Sequence, residues 1–164
     1  MPTSQLFKRP NKVIILSGIP GSGKSTWATN YLKNNSWTAR IVSRDDIREV
    51  GFPVPYTYTR ENEERVTITF NSLLKTYLSA SLDVILDNTN CREGYIDEHI
   101  KSILVDFPNT RVYIKFFDVP LWKAAWRVWR RERNTGKVVP YEVVKAMHKN
   151  YKKINKQKYS KRIL

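Results

Sequence analysis

The stretch Gly18-Ile-Pro-Gly-Ser-Gly-Lys-Ser-Thr26 has the residue types and the spacing needed to bind nucleotide phosphates. It fits the pattern G-x-x-x-x-G-K-[ST], in which backbone N–H groups face the phosphates. In that pattern Lys24 reaches the β- and γ-phosphates, and the hydroxyl of Ser25 binds Mg²⁺. An apolar run ends at Ser17 and a helix-compatible segment follows the motif, which is the context that such a loop requires. The motif therefore predicts ATP or GTP binding.

Carboxylates and arginines follow the next two predicted strands, where open α/β sheets place their ligands. Asp45 is the candidate general base, because phosphoryl transfer to a hydroxyl needs a group that accepts its proton. Arg48, one helical turn later, is a candidate contact for a substrate phosphate. Asp87 ends an apolar strand, the usual place of the Walker B acid that holds Mg²⁺ or its water. The structural alternatives are a helix cap for Asp45, a solvated arginine for Arg48 and a turn residue for Asp87.

A predicted helix from Leu121 to Arg133 is rich in arginine, with Glu132 as its one acid. Its arginines are Arg127, Arg130, Arg131 and Arg133. We predict a lid that closes over the nucleotide and neutralises transition-state charge, as an arginine finger does. The alternative is a charged face in contact with solvent only.

The same helix carries Trp122, Trp126 and Trp129 at positions i, i+4 and i+7, which places them on one face. Aromatic residues at this spacing are more often core than ligand-binding, so we expect the three rings to pack inside the protein. Base stacking is the alternative.

Strands and helices alternate along the chain, which predicts a parallel sheet with helices on both faces. The predicted strands are 12–17, 38–43, 82–87 and 110–117, and the predicted helices are about 23–33, 59–81, 93–107, 121–133 and 141–153. We therefore expect an α/β P-loop fold with about four strands and a helical arginine-rich lid. The predicted parts are a lead-in at 1–11, a kinase domain at 12–152 with its lid at about 121–139, and a basic tail at 153–164.

The net charge, the single cysteine and the hydropathy of the chain indicate which partners and which compartment to expect. The formal net charge of +14 over 164 residues favours a polyanionic partner, either nucleic acid or an anionic membrane surface. The tail at 153–164 predicts unspecific attraction to phosphate, or else a mobile solubilising segment. The single Cys91 excludes an intramolecular disulfide and suits a reducing, cytoplasmic compartment. No run is long and apolar enough to span a bilayer, so no membrane partner is expected.

These segments together resemble the 5′-kinase domain of bacteriophage polynucleotide kinase and its relatives. The resemblance covers nearly the whole chain, from about residue 12 to residue 151. Beyond the phosphate loop, the matching stretches are Ser43-Arg-Asp-Asp-Ile-Arg48, Thr89-Asn90, Phe117-Asp-Val-Pro120 and Gly136-Lys-Val-Val-Pro140. Many kinases share the phosphate loop, whereas the Arg-Asp-Asp-x-x-Arg segment combined with Phe-Asp-Val-Pro is much more specific.

In that family ATP donates its γ-phosphate to a 5′-hydroxyl of DNA or RNA. The resemblance implies that Lys24 and Ser25 serve the nucleotide and metal, that Asp45 is the base, and that Arg48 binds the acceptor's phosphate. The family also has an acid directly before the threonine that follows its third strand. This chain has Asn88 there, which leaves the role of Asp87 open.

The resemblance also implies arginines in the lid helix and a tendency to form multimers. Arg127 matches the first lid arginine. The lid is about three residues longer here, which leaves Arg130, Arg131 and Arg133 open as the second. A homo-oligomer is likewise left open.

The sequence thus predicts an ATP-dependent polynucleotide 5′-hydroxyl kinase that uses Mg²⁺ and acts on 5′-OH ends of DNA or RNA. The predicted catalytic residues are Lys24, Asp45, Arg127 and Arg131. The predicted ATP-binding residues are Gly18, Pro20, Gly21, Ser22, Gly23, Lys24, Ser25, Thr26, Arg130 and Arg133. The predicted acceptor-binding residues are Asp45, Arg48, Asn88, Thr89 and Asn90, and the predicted metal ligands are Ser25 and Asp87.

Two other functions remain open at this stage. The first is a kinase of a small acceptor such as a nucleoside, sugar or antibiotic, although a small acceptor needs no extended positive surface. The second is a nucleic-acid-stimulated NTPase module without a separate acceptor, which would have no need for a base such as Asp45.

Overall fold

The computed structural model describes residues 9–164, so most of the predicted lead-in lies outside the described residues. Four strands form one parallel sheet: β1 Lys12–Ser17, β2 Ala39–Val42, β3 Asp83–Leu86 and β4 Arg111–Phe116. The α-helices are α1 Lys24–Asn34, α2 Arg44–Gly51, α3 Arg60–Ser79, α4 Glu93–Asp106, α5 Leu121–Thr135 and α6 Tyr141–Lys152. A 3₁₀-helix covers Lys156–Arg162. The four-stranded parallel α/β architecture predicted from the sequence is confirmed.

The central strand β1 is buried on both faces of the sheet. Its residues Val13 to Leu16 are at most 1% exposed. Val13 and Ile15 pack into the larger core with α3 and α4, whereas Ile14 and Leu16 pack with Ala28 of α1 on the other face. An apolar, β-branched run with no alternation is what a strand covered on both faces requires.

The strand order β2-β3-β1-β4 opens a crevice at the phosphate loop. The chain leaves β1 toward β2 on one side and returns through β3 to β4 on the other, so the direction of winding reverses between β1 and β3. Ligands of open α/β sheets bind at such a reversal, outside the carboxyl ends of the strands. The phosphate loop follows β1 and therefore borders this crevice.

Hydrogen bonds join the two strand ends that flank the crevice. The backbone N–H of Gly18 donates to the carbonyl of Thr89 at 2.9 Å. The side-chain amide of Asn90 donates to the carbonyl of Leu16 at 2.8 Å, and the hydroxyl of Ser17 donates to the carbonyl of Asn90 at 2.8 Å. The segment after β3 is thus fixed directly against the start of the phosphate loop.

Two helix starts follow local capping chemistry. Ser43 caps α2, because its hydroxyl oxygen accepts from the N–H of Asp46 at 3.3 Å. Asp45 is therefore not the cap of this helix and its carboxylate stays available. Thr59 caps α3 by accepting from the N–H of Asn62 at 3.1 Å, as its position before the helix predicts.

The segment 153–164, predicted as a basic tail, packs against the sheet. Tyr159 is buried, and its hydroxyl donates to Asp97 of α4 at 2.8 Å. The N–H of Leu164 donates to the carbonyl of Ile114 in β4 at 3.0 Å, beside a parallel bridge from residue 163. Two kinds of contact explain the docking. Ile154 and Tyr159 reach the core, and Lys156 and Lys158 form ion pairs with Asp118 and Asp97.

No helix between residues 9 and 164 combines the length and the apolar character needed to cross a membrane.

Replacing Tyr159 with alanine tests whether this segment is part of the domain. We expect the free energy of unfolding to fall by about 3 kcal/mol, because a buried aromatic ring and its hydrogen bond are lost. Urea unfolding followed by circular dichroism measures the change. Lys161→Ala, an exposed position in the same 3₁₀-helix, is the matched control and should leave stability unchanged. Equal stability of both variants would show that the segment does not contribute to the fold.

Candidate active site

The phosphate loop depends on glycine at two places. Gly23 has φ +99° and lies directly before α1, and Gly21 has φ +78°. A Cβ on Gly21 would lie 2.4 Å from the carbonyl oxygen of Ala124 in α5, so no side chain fits between the loop and that helix. The hydroxyl of Ser22 is buried and has no hydrogen-bond partner within residues 9–164. A polar atom left free in a phosphate loop fits a site built for a ligand.

Lys24 is buried at the start of α1 and donates its Nζ hydrogen to the carbonyl of Ile19 at 3.0 Å. Burial lowers the pKa of this lysine, and the nearby carboxylates of Asp87 and Asp45 oppose that shift. The guanidinium of Arg131 lies close enough to lower the pKa further. Asp45, Asp87 and Arg131, which come from three other segments, therefore lie within electrostatic range of Lys24.

Ser25, in the first turn of α1, lies close to Asp87, which directly follows β3. Burial raises the pKa of Asp87, while the hydroxyl of Ser25 and the ammonium group of Lys24 act in the opposite direction. A hydroxyl and a carboxylate are hard oxygen ligands, and Mg²⁺ prefers one or two such ligands together with substrate phosphates. The pair therefore fits a Mg²⁺ site completed by the nucleotide. Residues 9–164 contain no cluster of three or more His, Cys, Asp or Glu side chains suited to a metal.

Arg48 is held between two carboxylates beside the crevice. Its Nη1 donates to Asp45 at 2.7 Å, and its Nε and Nη2 donate to the two oxygens of Glu63 at 2.8 Å each. The bidentate bond to Arg48 lowers the pKa of Glu63 to about 2, and the same bond raises the pKa of Arg48. The side chain of Arg48 is 16% exposed, whereas that of Asp45 is 83% exposed. One guanidinium edge is thus fixed by α3, and the carboxylate of Asp45 points to solvent.

Sequence reasoning missed the residues that hold Arg48. Glu63 lies in the first turn of α3, where an acid suits the helix dipole without any further role. It also accepts from the hydroxyl of Tyr56 at 2.7 Å and from Arg44 at 3.3 Å. The guanidinium of Arg48 lies 5.8 and 5.5 Å from the rings of Tyr56 and Tyr58. The pattern Tyr-x-Tyr before an acidic helix start was the available signal. Only the packing of α2 on α3 shows that these side chains surround Arg48.

The three residues after Asp87 have different positions. Asn88 accepts from the N–H of Arg44 through its side-chain oxygen at 3.0 Å, and its Nδ2 is a buried donor without a partner among residues 9–164. That free donor suits the predicted contact with an acceptor. Thr89 and Asn90 instead bond to the start of the phosphate loop, and Asn90 is 4% exposed with φ +43°. Acceptor binding by Thr89 and Asn90 stays a prediction.

Helix α5 lies on the phosphate loop through one face. Ala124 and Val128 on this face are buried and meet Gly21. Arg127 donates from Nη1 to the carbonyl of Gly21 at 3.2 Å. One turn further along the same face, Arg131 approaches Lys24. Arg127 and Arg131, the two lid arginines predicted to be catalytic, are therefore the ones that the fold brings to the loop.

The remaining lid arginines lie elsewhere. The guanidinium of Arg130 stacks 5.4 Å from the ring centre of Trp126, and that of Arg133 stacks 5.0 Å from that of Trp129. ATP binding by these two arginines stays a prediction, and this arrangement does not bring them to the loop.

The expectation that the tryptophans are core is wrong. Trp122, Trp126 and Trp129 are 73%, 51% and 52% exposed, because the small residues Ala124 and Val128 occupy the buried face of α5 instead.

A separate cleft of about 920 Å³ lies on the other side of α2. Its lining includes Asp46 and Ile47 of α2, Phe52 of the following loop, and Asn62 and Arg65 of α3. Burial raises the pKa of Asp46. Asp45 and Arg48 are not among the lining residues, so the cleft adjoins the site without containing its reactive groups.

The AAA domain family AAA_33 matches residues 13–154. The chain belongs to this family. The match spans the phosphate loop, the Asp45–Arg48 segment, the residues after β3 and the whole of α5. The residues described above therefore belong to an AAA domain with a P-loop kinase fold.

Relatives of this AAA domain include proteins that are named for RNA. The L-seryl-tRNA(Sec) kinase of Methanococcus maripaludis is 29% identical over 147 residues, which cover 85% of this chain and 52% of that protein. A chain of the Pnkp1/Rnl/Hen1 RNA repair complex superposes with a TM-score of 0.81 at 25% identity, over 96% of this chain and 49% of that one. The AAA domain thus spans about half the length of each. The second match confirms the resemblance to polynucleotide kinases.

Kinases of small molecules share the fold at lower identity. The APS kinase CysC of Mycobacterium tuberculosis, solved with AMPPNP and APS, has a TM-score of 0.56 at 15% identity, over 79% of this chain and 77% of that one. This likeness confirms the P-loop kinase fold and leaves the acceptor open.

Replacing Gly21 with alanine tests the contact between loop and lid. The new Cβ meets the backbone of α5 and requires a left-handed conformation that costs about 1–2 kcal/mol by itself. We expect ATP affinity to fall about tenfold or more, measured by titration of a fluorescent ATP analogue. Gly94→Ala is the control, because Gly94 lies in α4 with open space around its Cβ position, and it should bind ATP as the wild type does. Unchanged affinity of the Gly21 variant would show that α5 does not rest on the loop.

A pH series tests the bond between Glu63 and Arg48. The pKa of Glu63 is lowered from 4.5 to about 2 in the folded state, so its contribution to stability is present above about pH 4.5 and is lost as the pH falls toward 2. We expect Glu63→Gln to lower the free energy of unfolding by about 1–2 kcal/mol at pH 7, a figure discounted for solvent screening. The difference from wild type should shrink between pH 4.5 and pH 2.5.

Urea unfolding at each pH gives this difference. Glu64→Gln removes an exposed neighbouring carboxylate and controls for loss of charge alone. A wild-type advantage that is equally large at pH 7 and pH 2.5 would contradict an ionic bond at Glu63.

Proposed function

We propose that the protein is an ATP-dependent polynucleotide 5′-hydroxyl kinase that transfers the γ-phosphate of ATP to a 5′-OH end of DNA or RNA. The observation that carries this proposal is the pair formed by Asp45 and Arg48 at the end of β2. The pair lies close enough to the phosphate loop for Asp45 to influence the pKa of Lys24. It supplies a base for a hydroxyl and a cation for a phosphate on the same turn of a helix.

Asp45 is the proposed general base. An exposed carboxylate can accept the proton of the attacking 5′-hydroxyl, as the corresponding acid does in phosphoryl transfer to alcohols. The oxygen of that hydroxyl then forms a bond to the γ-phosphorus, and the bond from phosphorus to the β–γ bridging oxygen breaks to release ADP. The exposure of Asp45 suits an acceptor that enters from solvent.

Arg48 is the proposed contact for the acceptor's own phosphate. Its Nε and Nη2 are held by Glu63, so Nη1 is the edge that can exchange partners. An acceptor phosphate that takes Nη1 replaces Asp45 there and frees its carboxylate for the 5′-hydroxyl. Binding of a strand and preparation of the base are thereby coupled. A nucleoside without a phosphate lacks the group that makes this exchange.

The donor side uses the residues around the phosphate loop. Lys24, Arg127 and Arg131 are positioned to offset the negative charge that spreads over the transferring phosphoryl group. Ser25 and Asp87 would hold Mg²⁺, which neutralises charge between the β- and γ-phosphates when it is bound.

The charge of the chain and its relatives support a nucleic-acid acceptor. A net charge of +14 favours a polyanion over a small neutral acceptor. Two relatives at 25% identity or more are named for RNA, one as a seryl-tRNA kinase and one as part of an RNA repair complex.

The test is transfer of γ-labelled phosphate from ATP to a short 5′-OH oligonucleotide, with DNA and RNA side by side. We expect label on the 5′-OH strands and none on a 5′-phosphorylated strand. Asp45→Asn should lower the rate of transfer by at least about 100-fold and leave ATP binding unchanged, because only the proton acceptor is removed.

Asp46→Asn makes the same change at the next residue of α2 and should keep most of the activity. Nucleosides, sugars and seryl-tRNA are tested as acceptors in parallel. Label on one of these and not on the oligonucleotides would replace the proposal with that acceptor. Transfer that survives in the Asp45 variant would exclude this residue as the base.

A further inference from the structure

The outward face of α5 is an aromatic and cationic surface. We call it the tryptophan face and define it by Trp122, Trp126, Trp129, Arg130 and Arg133. Its three indoles are each at least half exposed, whereas most large aromatic side chains of globular proteins are largely buried. At 3.6 residues per turn, Trp126 is rotated about 200° from the buried Ala124. The face therefore points away from the phosphate loop.

The chemistry of this face combines stacking surface with positive charge. Two of its three indoles have a guanidinium group within 5.4 Å of the ring centre. Helix α5 contains five lysines and arginines and one acid, Glu132. Bases stack on exposed aromatic rings and phosphates pair with the adjacent arginines, which is how sequence-independent single-strand sites are built.

The position of the face connects it to the proposed acceptor site. Lys137, two residues after α5, forms an ion pair with Glu49 of α2 at 2.6 Å. The C-terminal end of the lid therefore meets the helix that carries Asp45 and Arg48. At the other end, a groove of about 290 Å³ beside Leu121 is lined by Lys145, His148 and Lys149 together with Glu142 and Ala146. A strand that leaves the acceptor site along the lid would pass over the tryptophan face toward the lysines of this groove.

We propose that the tryptophan face binds the acceptor strand as single-stranded nucleic acid, downstream of its 5′ end. The inference rests on the proposed function and extends it, because it assigns a second contact region to the same substrate. Residues 122 to 129 span about 10 Å of helix, which matches about three stacked nucleotides. A strand of this kind contacts the site through Arg48 at its 5′ end and through the indoles further along.

Charge decides between nucleic acid and a protein partner. An apolar protein pocket that covered the indoles would also have to remove the guanidinium groups of Arg130 and Arg133 from water, which is costly without acidic partners. Each nucleotide of a single strand supplies a base that can stack on an indole and a phosphate that can pair with Arg130 or Arg133. An anionic membrane also attracts Trp and Arg, and the experiment includes it as an outcome.

The experiment measures binding separately from catalysis. A fluorescein-labelled, 5′-phosphorylated oligothymidylate of 15 nucleotides cannot accept phosphate, so its fluorescence anisotropy reports affinity alone. We expect the double variant Trp126→Leu/Trp129→Leu to lose about tenfold or more in affinity, because leucine keeps apolar bulk but offers no stacking surface. The double Phe variant should recover most of the affinity. Trp37→Ala, at a 92% exposed tryptophan outside the face, should bind as the wild type does.

Kinetics give the second readout. In the leucine variant the KM for a 15-nucleotide 5′-OH strand should rise about tenfold, while the KM for ATP and the KM for a 5′-OH dinucleotide stay unchanged. A dinucleotide offers one internucleotide phosphate for Arg48 and no further nucleotides for the indoles. Circular dichroism and thermal unfolding confirm that both variants fold.

The outcomes separate this inference from the proposed function. Oligonucleotide affinity that depends on the indoles, without transfer to any 5′-OH end, supports single-strand binding by the tryptophan face and overturns the proposed 5′-OH acceptor. Transfer with equal affinity and KM in wild type and leucine variant supports the kinase and overturns the inference. Binding to vesicles containing phosphatidylserine that is lost in the leucine variant, with no oligonucleotide binding, overturns the inference in favour of a membrane surface.

Discussion

The contact between the phosphate loop and α5 constrains the whole active site. The backbone of Gly21 lies so close to the carbonyl of Ala124 that there is no room for even a methyl side chain on Gly21. Because the helix rests on the loop through Ala124 and Val128, its rotation about its own axis is fixed. That rotation sends Arg127 toward the phosphate loop and Trp126 toward solvent. A single close approach thus decides which lid residues can take part in chemistry and which can meet a partner.

The position of Arg48 in α2 depends on an ion pair with α3. Arg48 would be a flexible cation on a short helix if α3 did not supply Glu63 to fix two of its nitrogen atoms. The bond carries two charge-assisted hydrogen bonds in a half-buried setting, where such pairs are stronger than at the surface. It leaves Nη1 of Arg48 bonded to Asp45, whose carboxylate points to solvent. Preorganised charges of this type need little rearrangement when a charged substrate arrives.

The phosphate loop and the start of α2 border the same crevice because the sheet reverses its winding direction between β1 and β3. Asn90 bonds to the carbonyl before the phosphate loop, and Asn88 bonds to the first N–H of α2. The short segment after β3 therefore sets the distance between the phosphate loop and α2. The segment after α5 also contacts α2, through the ion pair between Lys137 and Glu49. Local contacts of modest strength thus align residues that lie far apart in the chain.

The sequence alone determined the elements and the donor site, because these follow from local rules. Hydrophobic runs, glycine positions and caps such as Thr59 depend on near neighbours, so the strands, the helices and the phosphate loop were predictable. Only the tertiary structure decided the orientation of α5 and the partner of Arg48. Helical spacing places the three tryptophans on one face but cannot tell whether that face is buried, and the close contact at Gly21 turned it outward. Glu63 lies 15 residues from Arg48, and only the packing of α2 on α3 brings them within hydrogen-bonding distance.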